Sequence, residues 1–236
     1  MRVKKVFENS ENKKVMEINI LPSKYCNFNC VFCPLGPQGT QTDESYRFES
    51  TDDFLSSLAA QIEEEQPEIL FLNSMGESFA NDQLGEVIAL ARKKGVEISL
   101  YGNGYLLGYQ EYARLASLCD EVTGEIKAIT EEGFQKLQRP MKGSTLKKYW
   151  DHMLRFREGY KGKFTIALSI IRDVNDDVES IERIAGYLEK LKVDKVLLET
   201  FDDGKFGKAF GVSENKMEMA RRVLMKNPCN FVVDFS

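Results

Sequence analysis

The segment MEINILPSKYCNFNCVFCP, residues 16–34, decides how the rest of the chain reads. Its first residues alternate apolar and polar side chains, the period-two signature of a strand. The strand runs directly into three close cysteines, Cys26, Cys30 and Cys33, with three residues in the first gap and two in the second. Cysteines near a strand end chelate soft metals as thiolates. Structural zinc usually takes four ligands, often as two C-x-x-C pairs, and a four-iron cluster also normally takes four thiolates. Only three cluster here. The single histidine, His152, falls in a distant helical pattern and reads as solvated. Cys119 ends an apolar helix and reads as a buried structural thiol, and Cys229 stands apart. Three thiolates would leave one iron of a four-iron cluster open to an external ligand. The non-catalytic alternative is an iron–sulfur or zinc module that stabilises the fold or carries electrons.

Outward from this strand, short β-branched runs alternate with helical stripes. A helix is expected over 52–65, with Ser50, Thr51 and Asp52 as start signals. Strands are expected at 69–73, 97–103, 121–126, 164–171 and 194–200. Helices are expected around Leu84–Ala91, over 109–118 and 144–158, and from Val178 to Leu191. Ser213 opens a last helix, and 230–235 is a final short strand. Six strand-then-helix units in series imply a parallel sheet with helices outside. Right-handed crossovers curl such a series, and a full eight-unit barrel needs about 250 residues. The expectation is therefore α/β: a partial (β/α)6 TIM-type barrel, parallel strands inside and helices outside. It forms one core domain over 1–236, closed by the helix and strand of 213–235. The active site belongs at the C-terminal ends of the strands.

Composition narrows the function classes. The chain has 236 residues, 42% hydrophobic and 29% charged, with a net charge of -5. That balance does not describe a general nucleic-acid binder. No apolar run approaches a membrane span, and the basic N-terminus lacks the apolar core of a signal peptide. The expectations are no membrane partner and a cytoplasmic location. Five cysteines, an odd number, favour a metal or reactive site over a disulfide framework.

At CxxxCxxC, with the aromatic Phe32 before the last cysteine, the chain resembles the radical S-adenosylmethionine superfamily. The resemblance implies that Cys26, Cys30 and Cys33 hold a 4Fe-4S cluster. It also implies that S-adenosylmethionine chelates the open iron and is cleaved reductively to a 5′-deoxyadenosyl radical. NSMGES (73–78) is similar to the family's Gly-Gly-Glu element, which binds the amino group of S-adenosylmethionine. Here Met75 replaces the first glycine, while Gly76 and Glu77 remain. YGNGYLL (101–107) resembles the Asn-Gly turn after the third strand and brings in Asn103. GEIK (124–127) puts Glu125 and Lys127 on one face of a strand, and resembles the family's contacts to the ribose and carboxylate. Ser169, Arg172 and Asn175 are weaker candidates, and Phe32 is either core or the wall under the adenine.

Within the superfamily, CNFNCVFCPLGPQ, KLQRP (136–140) and RDVNDD (172–177) look most like the branch of wyosine-forming tRNA enzymes. Their second cluster is not expected, because no cysteine precedes Cys26. A glycyl-radical-type activating enzyme is similar in size and is an alternative, as is another RNA-modifying member. The resemblance implies an electron donor such as flavodoxin or ferredoxin, and a substrate that is a small molecule, protein or RNA. Residues 139–163 hold eight Lys/Arg against two acids. They read as a solvated helix face or as a docking patch for an acidic partner or phosphate. Residues 200–213, glycine-rich, read as an ordinary loop or a substrate lid.

Overall fold

The computed structural model describes residues 1–226 and 232–235, so Cys229 lies outside the described residues. Its strands are β1 (Arg2–Glu8), β2 (Lys14–Asn19), β3 (Ile69–Leu72), β4 (Glu97–Tyr101), β5 (Glu121–Ile126), β6 (Lys163–Ile170), β7 (Lys195–Thr200) and β8 (Val232–Phe235). The main helices are α1 (Ser50–Glu65), α2 (Leu84–Lys93), α3 (Gln110–Ala116), α4 (Leu146–Gly159), α5 (Val178–Leu191), α6 (Gly204–Phe210) and α7 (Glu214–Lys226). The strands pair in chain order, β1 at one edge of the sheet and β8 at the other. From β2 to β8 every neighbouring pair is parallel. Six strand–helix units, β2 to β7 with their helices, make the expected partial barrel.

Alternation along the strands sorts two unlike faces. Met16 and Ile18, Leu70 and Leu72, Ile98 and Leu100, Ile166 and Leu168, and Val196 and Leu198 are all buried. They join Leu58, Val87, Ile88, Ile184 and Leu188 of the helices in one apolar cluster. Each such side chain removed from water contributes roughly 1.5–3 kcal/mol. The opposite, concave face carries Glu17, Ser99, Tyr101, Thr123, Glu125, Thr165, Ser169 and Glu199. In register, Tyr101 lies beside Thr123 and Thr123 beside Thr165. A full barrel fills this space with packed branched side chains. Here polar groups share the lining with Ile69, Phe71 and Leu197 and leave room for a ligand.

The expected elements are present within a few residues of their predicted bounds. Asp177 caps α5, its carboxylate accepting from the Ser180 N–H at 2.9 Å and the Ser180 hydroxyl at 2.6 Å. Helix α1 begins at Ser50 without a side-chain cap. Strand β1 and His152 differ from the expectations. Strand β1 was not expected: the N-terminal segment pairs antiparallel with β2, with a bulge between Val3 and Lys5. His152 is not solvated but buried, at 8% exposure. Its Nδ1 is 2.6 Å from the Tyr105 carbonyl, and its ring packs on Tyr105 and Tyr109. Burial lowers its pKa, with the Tyr105 carbonyl opposing. Gly108 makes the space, since a Cβ there would stand 2.1 Å from the imidazole. Cys119 is buried as expected. No helix among the described residues is long and apolar enough to cross a membrane.

Candidate functional site

The cysteine loop begins where β2 ends. Tyr25 and Cys26 pair in parallel with Thr40 and Gln41, closing the loop between them. The three-residue gap between Cys26 and Cys30 has a structural use. Phe28, at its middle, is buried among Tyr105, Phe134 and Tyr149, with ring centroids 5.4–5.7 Å away. Segment 137–141 braces the outside of the loop. The Asn29 N–H donates to the Arg139 carbonyl at 3.1 Å, Val31 to Leu137 at 2.9 Å, and Met141 to Asn27 at 3.2 Å. Cys33 is turned back by its N–H donating to the Cys30 carbonyl at 3.2 Å.

The three cysteines line one cavity of about 390 Å³ at the C-terminal end of the strands. Among the predicted site residues, Phe32, Gly76, Glu77, Asn103, Glu125 and Lys127 line the same cavity. Ser169 does not; its hydroxyl donates at 2.6 Å to Glu199, which does. Arg172 is exposed and reaches the Lys208 carbonyl at 3.0 Å, away from the cavity. All three thiols are free, and burial pushes Cys30 up to about 12, with Lys127 partly offsetting it. Cys26 is raised further by burial and by the nearby Glu77. Metal loading must therefore displace protons. Among the described residues no group of three His, Cys, Asp or Glu converges on a single metal ion, so the described residues offer no four-ligand zinc centre.

Glu77 is the most strained charge in the cavity. Its side chain is buried, and Oε2 accepts from the Asn103 N–H at 2.9 Å. Oε1 is buried with no partner. Burial, with Glu125 adding to it and the Asn103 hydrogen bond opposing, raises its pKa to about 8. Gly102 gives it room, and Gly76 lets the chain beside it close onto Tyr25. A Cβ on Gly102 would stand 2.4 Å from Oε1, and one on Gly76 would stand 1.9 Å from the Tyr25 carbonyl oxygen. Gly76 has φ +125, which only glycine adopts readily. Met75 is not in that region, so the departure from a double glycine falls where a side chain is tolerated. Its N–H donates to Asn19 Oδ1 at 2.8 Å.

Across the cavity, Lys127 Nζ lies 2.6 Å from Glu125 Oε2 and 5.7 Å over the Phe32 ring. Burial opposes the charge on Lys127 most strongly, but Glu125, with Cys30 and Glu199 adding to it, raises the pKa. Tyr101 donates to Glu125 at 2.9 Å, and Tyr149 donates to the Glu125 carbonyl at 2.6 Å. The side chain of Asn103 donates to Asn27 at 2.7 Å, and Gly104, φ +88, makes the turn beside it. Phe32 is wall and core at once: it lines the cavity and packs on Phe201 at 4.9 Å and Phe210 at 5.8 Å. Within the predicted loop 200–213, residues Gly204–Phe210 instead form the short helix α6, whose Phe210 packs on Phe32 of the cysteine loop.

Asn175 is missing from the cavity lining yet sets its geometry. Fully buried, it donates to the carbonyls of Lys127 and Ser169 at 3.0 and 2.9 Å and accepts from the Ile171 N–H at 2.7 Å. Asn175→Ala would strand these three groups. Each unsatisfied buried group costs about 1–3 kcal/mol, so a loss of roughly 3 kcal/mol or more is expected. Urea unfolding should show a lower midpoint at unchanged slope; an unchanged midpoint would refute the bracket. The basic stretch 139–163 is partly held in ion pairs. Arg157 and Lys163 are tied to Asp194 at 3.1 Å and Glu121 at 3.7 Å, and Lys147 pairs with Asp151 one helical turn on at 2.5 Å.

The fold is an open parallel barrel whose mouth carries three free thiols and a buried acid. The radical SAM superfamily profile matches residues 20–192, and the chain belongs to that superfamily. It is 26% identical over 190 residues to a UPF0026 protein of Methanocaldococcus jannaschii, covering 79% of this chain and 59% of that one. It is 24% identical over 240 residues to the GTPase Obg of Brachyspira hyodysenteriae, covering 99% of this chain but 35% of that one. The chain thus spans about a third to three fifths of these relatives. In fold it is similar to a radical SAM methyltransferase from Sphaerobacter thermophilus, with TM-score 0.72, 15% identity, and 98% and 68% of the two chains covered. It is also similar to TYW1 with a lysine-pyruvate adduct bound, with TM-score 0.62, 16% identity, and 90% and 73% covered.

Proposed function

We propose that this chain binds a 4Fe-4S cluster through Cys26, Cys30 and Cys33 and uses it to cleave S-adenosylmethionine reductively. The observation that carries this reading is Glu77, a buried carboxylate with an unpaired oxygen on the cavity that the three free thiols share. A cationic amino group is the partner that such an oxygen lacks. When bound, the pair supplies an electron that breaks the sulfonium C–S bond and a 5′-deoxyadenosyl radical that takes hydrogen from a substrate.

The chain's own residues divide the remaining work. Glu77 accepts the amino group, and Gly76 keeps the backbone close to it. Glu125 and Lys127, locked to each other and to Tyr101 and Tyr149, offer a fixed pair for the ribose and carboxylate. Asn103 holds the cysteine loop through Asn27. Phe32 and Phe201 exclude water from the cavity wall. Ser169 acts through Glu199, as a positioning residue. A low-potential carrier such as flavodoxin or ferredoxin supplies the electron.

The test is anaerobic reconstitution, reduction with dithionite, and assay for 5′-deoxyadenosine after addition of S-adenosylmethionine. A brown protein that forms the nucleoside supports the reading. A protein that loads its cluster but neither binds S-adenosylmethionine nor forms the nucleoside would be an electron-carrying or structural module instead.

A further inference from the structure

Lys24 is a buried cation whose hydrogen-bond acceptors are both neutral. It is 8% exposed, and its side chain lines the cavity beside the three cysteines. Its Nζ donates to Asn29 Oδ1 at 3.0 Å and to the Gly36 carbonyl at 2.6 Å. Asn29 immediately precedes Cys30, and Gly36 follows Cys33, so the ammonium is strapped across the cysteine loop. The other cavity lysine differs, because Lys127 is paired with Glu125.

The local chain is built down onto Lys24. The Thr40 N–H donates to its carbonyl at 2.9 Å. Gly39, φ +141, stands where a Cβ would lie 2.6 Å from that carbonyl oxygen and 2.8 Å from the Lys24 Cβ. Burying an ammonium without a counter-charge is costly. The cavity it faces holds the three cysteine sulfurs, which become anionic on metal loading.

We propose that Lys24 is the counter-charge of the cluster held by Cys26, Cys30 and Cys33, and that it raises the cluster's midpoint potential. This rests on the function proposed above. A four-iron cluster with three thiolates is anionic in both oxidation states and gains a further negative charge on reduction. A fixed cation nearby stabilises the reduced form more than the oxidised one. Burial keeps solvent and salt from screening the charge, and the two hydrogen bonds stop the side chain from swinging away. Lys24 touches no reacting atom in this scheme; it is a positioning residue that sets how easily a one-electron carrier reduces the site.

The experiment is a redox titration followed by electron paramagnetic resonance on the reconstituted full chain, comparing Lys24→Gln, Lys24→Arg and the unmodified protein. Glutamine keeps a donor for Asn29 and Gly36 and loses the charge; arginine keeps the charge. Lys24→Gln is expected to load equal iron and sulfide. Its equilibrium constant for reduction should fall at least about tenfold, a shift of about 59 mV to more negative potential for one electron. Lys24→Arg should titrate close to the unmodified protein. A loaded Lys24→Gln cluster with unchanged potential overturns the assignment. So does a Lys24→Gln chain that cannot load, which would make Lys24 a brace of the loop only. Failure of the unmodified chain to assemble any four-iron cluster would overturn the proposed function first, and this assignment with it.

Discussion

Cys30→Ala is expected to yield a colourless, folded protein that forms no 5′-deoxyadenosine. The thiol is half-buried on the cavity wall, and burial raises it to about 12, so without iron it stays protonated. Its removal deletes one sulfur from a cavity that is already open, and stability should change by less than about 1 kcal/mol. Losing an outer partner of a metal ligand costs about 10–100-fold in affinity or activity, and losing a ligand itself should exceed that. Iron content, visible absorbance and nucleoside formation measure the loss; thermal unfolding of the metal-free protein measures the fold. Cys26→Ala and Cys33→Ala should behave alike. Cys119→Ala is the control: that thiol is buried in the apolar cluster and should keep colour and turnover while losing some stability. Turnover surviving in Cys30→Ala would remove the ligand assignment.

The order of strands and helices was legible because each parallel strand is a short apolar run and each helix a clear stripe. β1 was hidden for a physical reason. Its bulge between Val3 and Lys5 breaks the two-residue period, and its lysines face an acid. Lys4 pairs with Glu17, and Lys5 lies 3.4 Å from the same carboxylate. The segment therefore reads as a charged tail until Glu17 is in place. The cysteines, Glu77 and the Glu125–Lys127 pair were legible because they sit at strand ends in short motifs. Lys24 and Asn19 were not singled out, and Asn175 was only a weaker cofactor candidate rather than a brace, because these roles are made by contacts that no local spacing encodes. Asn175, for example, meets Lys127 from 48 residues away. The burial of His152 likewise depends on Gly108, a residue from a different turn of chain.

Glu77→Gln is expected to separate the stability of the empty protein from its affinity for S-adenosylmethionine, moving them in opposite directions. The carboxyl has a folded pKa of about 8 against an ordinary 4.5, raised chiefly by burial. Between those values the folded state binds more proton than the unfolded state. The stability of the empty protein is therefore fully present below pH 4.5 and is lost as pH rises through 8. For a fully buried acid the loss reaches about 5 kcal/mol at most. Glutamine carries no charge and removes this dependence. At pH 9 the metal-free variant should unfold at higher urea than the unmodified protein, and the difference should vanish toward pH 4.5. Binding reverses the order. The ionised Glu77 offers its unpaired Oε1 to an ammonium, whereas glutamine offers a neutral amide and forfeits a charge-assisted bond of about 1.5–3 kcal/mol. Affinity of the cluster-loaded variant for S-adenosylmethionine should fall roughly 10–100-fold. The penalty that burial places on the empty site is thus the driving force for filling it with a cation. Equal urea midpoints at pH 9 together with unchanged affinity would show that Glu77 is neither strained nor the amino-group partner.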